Sequence, residues 1–366
     1  GTSDGCPDVD GDGVADKDDK CPSEKGQTRF EGCPDTDGDN VPDHLDKCKN
    51  EKGLTSNNGC PEPTSVRCQY CPEMVLVKGG TFQMGSDDLD SQDDEKPVHS
   101  VTVGDFYLGK FEVTVAEFSN FISDGSYKTD AEINGWSLVW DGNSTEMKNG
   151  VNWQCDAQGF ILLIAGRNHP VLHVSWNDAV EYCKWLSRKT GKTYRLPTEA
   201  EWEFAAGGGI SNRTKWAGTS EYFQLYKFMN GGEYGGSSKD GFTFTSPVGK
   251  FQPNSLGSYD MSGNVLEWCS DWWAHYSIDT QVNPSGTTSG ILRIMRGGSW
   301  DEGKTDCRVT NRFGGGPSDY SNHTGFRVAQ DKYPLRPFTL LPFKRKRERR
   351  SRLPLSFLLF FFLLAA

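Results

Sequence analysis

The chain has 366 residues, which is enough for one large domain or for two smaller ones. Its 42 glycines favour a loop-rich fold with many tight turns over a helical bundle. The net charge of −11 argues against nucleic acid as a partner, because phosphate backbones attract basic surfaces. Aspartate is concentrated near the start of the chain, and such clusters indicate binding of hard cations.

The cysteine content indicates an oxidising compartment. Seven of the 11 cysteines lie before Glu73, in a short acidic segment, and four lie after it. Cytosolic proteins rarely carry such a density of cysteines. We therefore expect an extracellular, cell-surface or periplasmic location.

Residues 1–63 contain two copies of one pattern. Cys6-Pro-Asp-Val-Asp-Gly-Asp-Gly-Val-Ala-Asp recurs as Cys33-Pro-Asp-Thr-Asp-Gly-Asp-Asn-Val-Pro-Asp. Apolar residues are nearly absent from this segment, so burial of apolar surface cannot fold it. Ions and disulfides must stabilise it instead.

Each copy places oxygen donors at positions 1, 3, 5, 7, 9 and 12 of an EF-hand-like loop. Gly13 occupies the sixth position of the first loop, and Asn40, which tolerates the same left-handed conformation, replaces it in the second. The alternative is an acidic, disordered linker, but two copies in one register favour calcium. The predicted ligands are Asp8, Asp10, Asp12, the Val14 carbonyl, Asp16 and Asp19, then Asp35, Asp37, Asp39, the Val41 carbonyl, Asp43 and Asp46.

This segment resembles thrombospondin type 3 repeats. The resemblance implies a rod built around calcium, with the disulfides Cys21–Cys33 and Cys48–Cys60, and with Cys6 facing a missing upstream repeat. Cys68 and Cys71 form a CxxC motif at the boundary. A zinc site would need a second such pair, so a local disulfide or a link to other cysteines is favoured.

After a linker over 64–72, residues 73–331 alternate short strands, glycine turns and three predicted helices. A strand is predicted at Met74-Val-Leu-Val, and the rest forms an irregular α+β pattern. Each helix begins with a Ser or Thr that is followed three residues later by an acid, which is a capping signature. The three signatures are Thr114 with Glu117, Ser175 with Asp178, and Thr198 with Glu201.

Several segments of residues 73–331 resemble, in order, the formylglycine-generating enzyme and its sulfatase-modifying factor relatives. The resemblance implies an α+β fold, an irregular C-type-lectin-like domain with little regular secondary structure, placed after the calcium-stabilised rod. The segments are Met74–Ser86, Asp94–His99, His169–Trp176, Arg195–Glu203, Gly263–Trp268, Arg296–Trp300 and Gly325–Ala329.

The same resemblance implies two more calcium sites, each with oxygen donors on a glycine-rich turn. The alternative is that Asn230 and Asp240 cap turns and that Glu267 makes a core ion pair. The implied ligands are Asn230, the Gly231 carbonyl, Asp240 and the Phe242 carbonyl at one site, and Asp260, the Gly263 and Val265 carbonyls and Glu267 at the other.

The sequence departs from the family at its copper site. The family holds copper between two thiolates, three and eight positions after the Ser of a Gly-Gly-Ser motif, and soft thiolates suit Cu(I). Here Ser299 is followed at those positions by Glu302 and Cys307. Cys269 is a plausible disulfide partner for Cys307, and such a bond would remove the last thiolate. The sequence therefore argues against copper as a cofactor.

Two functions remain. In the first, the domain is a binding or structural module at the cell surface, with a protein or glycan ligand or with copies of itself. In the second, it is a metal-dependent oxidase acting on exported proteins. The broken thiol pair favours the first, so no enzymatic activity is expected. The stretch from Asp301 to His323 should then form an exposed recognition surface through Asp301, Glu302, Lys304, Asp306, Asn311, Phe313 and Tyr320.

Residues 332–366 combine a basic run with an apolar end. The apolar stretch is shorter than the ~20 residues that span a bilayer. One interpretation is a truncated membrane anchor, and a membrane partner is expected only in that case. The other interpretation, which the length favours, is non-native sequence. The six histidines are scattered, and each is expected to be a turn or core residue rather than a ligand.

Overall fold

In the computed structural model, the structure describes residues 5–55, 58–60, 68–209, 213–232 and 240–332. Residues 64–67 of the predicted linker and the tail from residue 333 onward lie outside these ranges. Within them, no helix is long and apolar enough to cross a bilayer.

Four α-helices begin at complete capping boxes, in which the N-cap hydroxyl and the acid three residues later each bond to backbone N–H. Three are the predicted helices. The fourth follows Thr129 with Glu132, the same signature, which the sequence analysis overlooked. The helices are α1 (Val115–Ser123), α2 (Asp130–Asn134), α3 (Trp176–Thr190) and α4 (Glu199–Ala206).

The strands of the described residues are short, in agreement with the high glycine content. They are β1 (Met74–Val77), β2 (Gly80–Met84), β3 (His99–Val103), β4 (Phe106–Gly109), β5 (Trp136–Trp140), β6 (Thr145–Asn149), β7 (Tyr194–Arg195), β8 (Leu266–Trp272), β9 (Gln281–Val282), β10 (Arg293–Arg296), β11 (Phe313–Gly315), β12 (Thr324–Gly325) and β13 (Ala329–Asp331).

These strands form three sheets and one hairpin. The two four-stranded sheets have the orders β1-β4-β13-β7 and β11-β10-β8-β12. A three-stranded sheet has the order β2-β3-β9, and β5 pairs with β6. β8 contacts β10 in antiparallel and β12 in parallel orientation, so residues near 267, 296 and 325 lie side by side. Three motifs that are distant in the sequence therefore meet at one sheet.

Two large buried clusters form the core of this domain. One packs α1 and α3 against β8 and includes Phe118, Tyr182 and Trp268. The other packs α4 against β1 to β4 and includes Trp202 and Phe204. The irregular α+β architecture is the one expected from the sequence.

Residues 5–60, which we call the acidic repeats, fold through local hydrogen bonds rather than through a core. Asp12 accepts from the Val14 and Gly26 N–H groups, and Asp39 accepts from the corresponding Val41 and Gly53 N–H groups. The 27-residue offset holds for each of these bonds. The disulfides Cys21–Cys33 and Cys48–Cys60, which the resemblance implies, are both present.

Gly32 and Gly59 are required by these repeats. Gly32 has a φ of +86° and Gly59 a φ of +75°, in the left-handed region. A Cβ at Gly32 would lie 2.0 Å from Asp19 Oδ1, and one at Gly59 would lie 2.1 Å from Asp46 Oδ1. Glycine therefore lets the backbone approach the last predicted ligand of each loop.

Candidate functional site

In the acidic repeats, the structure brings the first three predicted ligands of each loop together. Oxygens of Asp8, Asp10 and Asp12 lie within 4.8 Å of one another, and the equivalent set from the second loop does the same. One side-chain oxygen on each of four aspartates is buried and accepts no hydrogen bond from the described residues. These atoms are Asp10 Oδ2 and Asp19 Oδ2 in the first loop, and Asp37 Oδ2 and Asp46 Oδ2 in the second. Burial and the charges of Asp12, Asp19 and Asp8 raise the pKa of Asp10. Converging oxygens without donors are the chemistry of a hard-cation site.

Asp16 and Asp43, the fifth predicted ligands, have a different environment. Asp16 Oδ1 accepts from the Val9 N–H at 2.9 Å, and Asp43 Oδ1 accepts from the Thr36 N–H at 2.8 Å. Their carboxylates close each loop by backbone hydrogen bonds.

At the first predicted calcium site of residues 73–331, the proposed ligands are joined by hydrogen bonds. Asp240 Oδ1 accepts from the Phe242 N–H at 3.0 Å, and Asp240 Oδ2 lies 3.4 Å from the Gly231 nitrogen. Asn230 donates its amide to the Phe244 carbonyl and to Asn264 Oδ1, which leaves its own oxygen as an acceptor. This donor set fits a cation at the turn.

The second predicted site is wrong in its use of Glu267. Both oxygens of Glu267 accept from the Arg327 guanidinium at 2.6 Å, and Trp202 Nε1 donates to Oε2 at 2.7 Å. All three side chains are buried. The core ion pair, which the sequence left as the alternative, therefore occupies the carboxylate. Asp260 remains with Oδ2 bonded to the Gly249 N–H and with Oδ1 unpartnered among the described residues.

The positions equivalent to the copper-binding thiolates lie beside the Gly-Gly-Ser turn. Ser299 donates its hydroxyl to Asp301 Oδ1 at 2.6 Å, and Asp301 Oδ2 lies 3.4 Å from His323 Nδ1. Cys307 Sγ lies 3.8 Å from the carbonyl oxygen of Glu302 and is fully buried. The Cys307 thiol and the ionisable side chains of Asp301, Glu302 and His323 therefore lie near this turn.

Burial controls the protonation of this cluster. It raises the pKa of Glu302 to about 7, with further contributions from Asp301 and Asp306. It also raises the pKa of Cys307 well above that of a free thiol, and the charge of Glu302 adds to the shift. Burial lowers the pKa of His323, but the hydrogen bond and charge of Asp301 outweigh it and raise the pKa overall. One thiol beside a carboxyl group lacks the pair of soft ligands that suits Cu(I).

The expected disulfide between Cys269 and Cys307 is not formed. Both are free and fully buried. Cys269 on β8 packs in the cluster around α4, whereas Cys307 packs with Trp216 and Met229 in a separate small cluster. The two thiols therefore belong to different parts of the core. The CxxC pair does form a local disulfide, Cys68–Cys71.

The stretch 301–323 is only partly the exposed surface that the sequence predicted. Of its seven proposed contact residues, Asn311 and Tyr320 are buried and the other five are half-buried, whereas Thr305, Ser318 and Asp319 in the same stretch are exposed. The cause is a pair of buried ion pairs: Arg308 donates to Glu95 at 2.6 and 2.7 Å, and Arg312 donates to Glu199 at 2.6 and 3.0 Å. These pairs hold the stretch against the core.

A groove of about 450 Å³ opens beside this stretch. The ring of Trp136, on β5, lies 5.5 Å from that of Tyr320, and Asn134 donates to the Tyr320 hydroxyl at 3.0 Å. Trp268 from β8 and Met295 from β10 also line the groove, together with His323. Apolar and aromatic walls with a few polar groups are typical of ligand sites. We call this the aromatic groove.

Sequence reasoning predicted the part of the aromatic groove that lies within 301–323, including Tyr320, and missed the rest. His323 was expected to be a turn or core residue, yet it lies between the groove and Asp301. Its signal was its position two residues before the Gly325-Phe-Arg segment. Trp136 carried no recognisable motif, because the hairpin β5–β6 reaches the groove only through the tertiary fold.

Similarity to known proteins identifies the family of this chain. The model of the sulfatase-modifying factor enzyme 1-like domain matches residues 61–332, and the chain belongs to this family. It is 38% identical over 288 residues to the formylglycine-generating enzyme of Mus musculus, covering 72% of this chain and 76% of that protein. It is 36% identical over 280 residues to the inactive C-alpha-formylglycine-generating enzyme 2 of Bos taurus, covering 70% of this chain and 87% of the relative.

Two solved structures share the fold. PvdO from Pseudomonas aeruginosa superposes with a TM-score of 0.61 and 33% identity, over 72% of this chain and 96% of PvdO. Treponema denticola variable protein 1 superposes with a TM-score of 0.53 and 27% identity, over 70% of this chain and 94% of the other.

Proposed function

We propose that this chain is an exported, calcium-dependent binding protein whose lectin-like domain does not make formylglycine. The observation that carries the proposal is the replaced thiol pair, in which Glu302 accompanies a fully buried Cys307. Neither residue lines the aromatic groove. Reactive thiols are accessible, and burial also raises the pKa of Cys307, which disfavours its thiolate.

The aromatic groove is the proposed binding site for a protein or glycan segment. Trp136 and Tyr320 offer flat faces for stacking, and the exposed Ser318 and Asp319 offer hydrogen-bonding groups at the rim. Aromatic side chains provide large contact areas at low entropic cost. The exported location is supported by the three disulfides of the described residues, which persist in oxidising compartments.

Calcium is the proposed ligand of the acidic repeats and of the turn at Asn230 and Asp240. In the repeats, two observations support the proposal. Three carboxylates converge in each loop, and two aspartates of each loop have a buried oxygen without a hydrogen-bond partner among the described residues. Oxygen donors on bent loops are the preferred environment of this ion.

The alternative is a metal-dependent oxidase. Two observations favour it: the 38% identity to a formylglycine-generating enzyme, and the free thiol at Cys307 where a disulfide was expected. A single thiol with a carboxylate nevertheless lacks the soft ligand pair that Cu(I) prefers.

The decisive experiment restores the missing thiol. Glu302→Cys recreates the two-cysteine spacing, and Glu302→Cys with Cys307→Ser is its matched control. Each protein is incubated with Cu(I) and a chelator that competes for it, then with copper and a sulfatase-type cysteine peptide. We expect the unmodified protein and the double variant to bind no Cu(I) tightly and to form no aldehyde, while Glu302→Cys gains Cu(I) affinity. Aldehyde formation by the unmodified protein, abolished by Cys307→Ser, would establish the oxidase instead.

A further inference from the structure

A second cavity, which shares no residue with the aromatic groove, lies between β8, the start of α4 and the loop at 284–287. Its volume is about 340 Å³, which lies in the range of small-molecule sites. The rim is exposed and polar, with His275, Ser285 and Thr287. The floor is buried: Asp271 is 4% exposed and Glu199 is 5% exposed.

The one arginine of the cavity wall is already committed to protein partners. Arg312 donates to both oxygens of Glu199 and to the carbonyl oxygens of Asp94 and Ala274. Four of its five N–H groups are therefore occupied. The cavity consequently offers no free cation to an anionic ligand.

Asp271 presents the free charge of the cavity. Its Oδ2 accepts from the Glu199 N–H at 3.0 Å and from the Ser270 hydroxyl at 2.9 Å. Its Oδ1 accepts no hydrogen bond, and no lysine or arginine forms an ion pair with it, among the residues that the structure describes. Arg293, which interacts with Asp271 electrostatically, is held between the rings of Trp176 and Trp272 at 3.7 and 3.4 Å.

We propose that this cavity binds a primary ammonium group, with Asp271 Oδ1 as its charged acceptor. An ammonium has three donors, and Gln281 and Ser285 line the same cavity as neutral acceptors. A buried carboxylate without a counter-ion is costly, and burial together with Glu199 raises the pKa of Asp271 to about 7. An organic cation bound beside Asp271 would act as its counter-ion and reduce the cost of burying the charge.

A metal ion fits this cavity less well. Side-chain ligand groups of three that are close enough to share one ion occur, within the described ranges, in the acidic repeats and not around Asp271. Two sources can supply the ammonium: a free aliphatic amine, or a lysine side chain of a partner protein. The chemistry is shared, so the test separates them.

The test is calorimetric titration of the intact protein with n-pentylammonium chloride at constant ionic strength. We expect saturable binding that Asp271→Asn weakens by about tenfold or more, because the amide keeps the hydrogen bond to Glu199 N–H but loses the charge. Asp279→Asn, an exposed aspartate outside the cavity, is the matched control and should bind as the unmodified protein does. Tighter binding of the peptide acetyl-Gly-Lys-Gly-amide identifies a protein lysine as the source, and equal binding identifies a free amine.

Three results would overturn the proposal: no saturable binding at millimolar amine, equal binding by Asp271→Asn, or equal binding of the neutral 1-pentanol. Should Asp271→Asn fail to fold, Ser285→Phe provides a second route. It fills the rim of the cavity from an exposed position and leaves Asp271 intact. The proposal then requires that Ser285→Phe lose amine binding.

Discussion

The acidic repeats and the lectin-like domain both bury carboxylates, but they neutralise them differently. In the domain, Glu95, Glu199, Glu203 and Glu267 are each buried against an arginine, from Arg308, Arg312, Arg296 and Arg327 respectively. In the repeats, Asp10, Asp19, Asp37 and Asp46 each keep a buried oxygen without a donor. These four carboxylates of the domain therefore have counter-ions within the same chain, whereas we propose that the repeats take cations from solution. Order in the two regions should respond to different perturbations.

Removing calcium should produce the largest effect, and only in the repeats. With a chelator present, Asp8, Asp10 and Asp12 repel one another within 4.8 Å, and no core compensates. We expect limited proteolysis to cleave residues 5–60 first, while residues 68–332 persist. Mass mapping of the fragments under non-reducing conditions measures this.

The matched variant is Asp37→Asn, which removes one charge from the second loop only. It should raise the calcium concentration needed to protect the second repeat and leave that needed for the first repeat nearly unchanged. Equal protease resistance of residues 5–60 with and without the chelator would show that the repeats need no ion.

Within the domain, Glu267→Gln should have the next largest effect. It leaves the buried Arg327 without its charge partner and weakens the hydrogen bond from Trp202. Breaking one side of a buried ion pair costs about 3–5 kcal/mol of the free energy of unfolding. Thermal or denaturant unfolding measures the loss.

Two comparisons separate this ion pair from a calcium site. The loss in the free energy of unfolding of the domain should be the same in the presence of calcium and in the presence of a chelator. Glu181→Gln, which removes an exposed pair with Lys184 at 2.7 Å, should change the free energy of unfolding by less than about 0.5 kcal/mol. A loss for Glu267→Gln that appears only with calcium would restore Glu267 as a calcium ligand.

Local patterns were predictable from the sequence, and long-range pairs were not. The capping boxes at Thr114, Ser175 and Thr198 each involve residues three apart, and all three helices formed there. The hydrogen bonds of the acidic repeats are similarly local. By contrast, Glu95 and Arg308 are 213 residues apart in the sequence, and no motif links them.

The errors at the candidate sites have the same origin. Glu267 resembles a calcium ligand in its local sequence, but its partner Arg327 lies 60 residues later, in the connection between β12 and β13. The stretch 301–323 is polar and glycine-rich, as exposed loops are, yet Arg308 and Arg312 anchor it inside. The aromatic groove combines side chains of β5, β8 and β10, so its walls become visible only when the strands are placed.

The smallest effect that we expect lies at Glu302, whose carboxyl oxygen Oε2 is buried and has no hydrogen-bond partner among the described residues. Its pKa in the folded chain is about 7, above the ordinary value of 4.5. Between these two values the folded state binds a proton that the unfolded state has released, so the free energy of unfolding falls as pH rises through this window. His323, whose pKa is also raised, contributes stability that is likewise lost at higher pH. The side chains that act on Glu302 are His323, Asp301, Asp306 and Ser299.

Glu302→Gln removes this titration and keeps the size of the side chain. Below the pH window the variant and the unmodified protein should have similar free energies of unfolding, because both carry a neutral group. Above the window the variant should be more stable by about 1–3 kcal/mol, since it has no buried charge to accommodate. Denaturant unfolding across the window measures the difference, and Glu146→Gln, at an exposed position on β6, is the control that should not change the profile. A constant difference across the window would mean that the pKa of Glu302 is not raised in the folded chain.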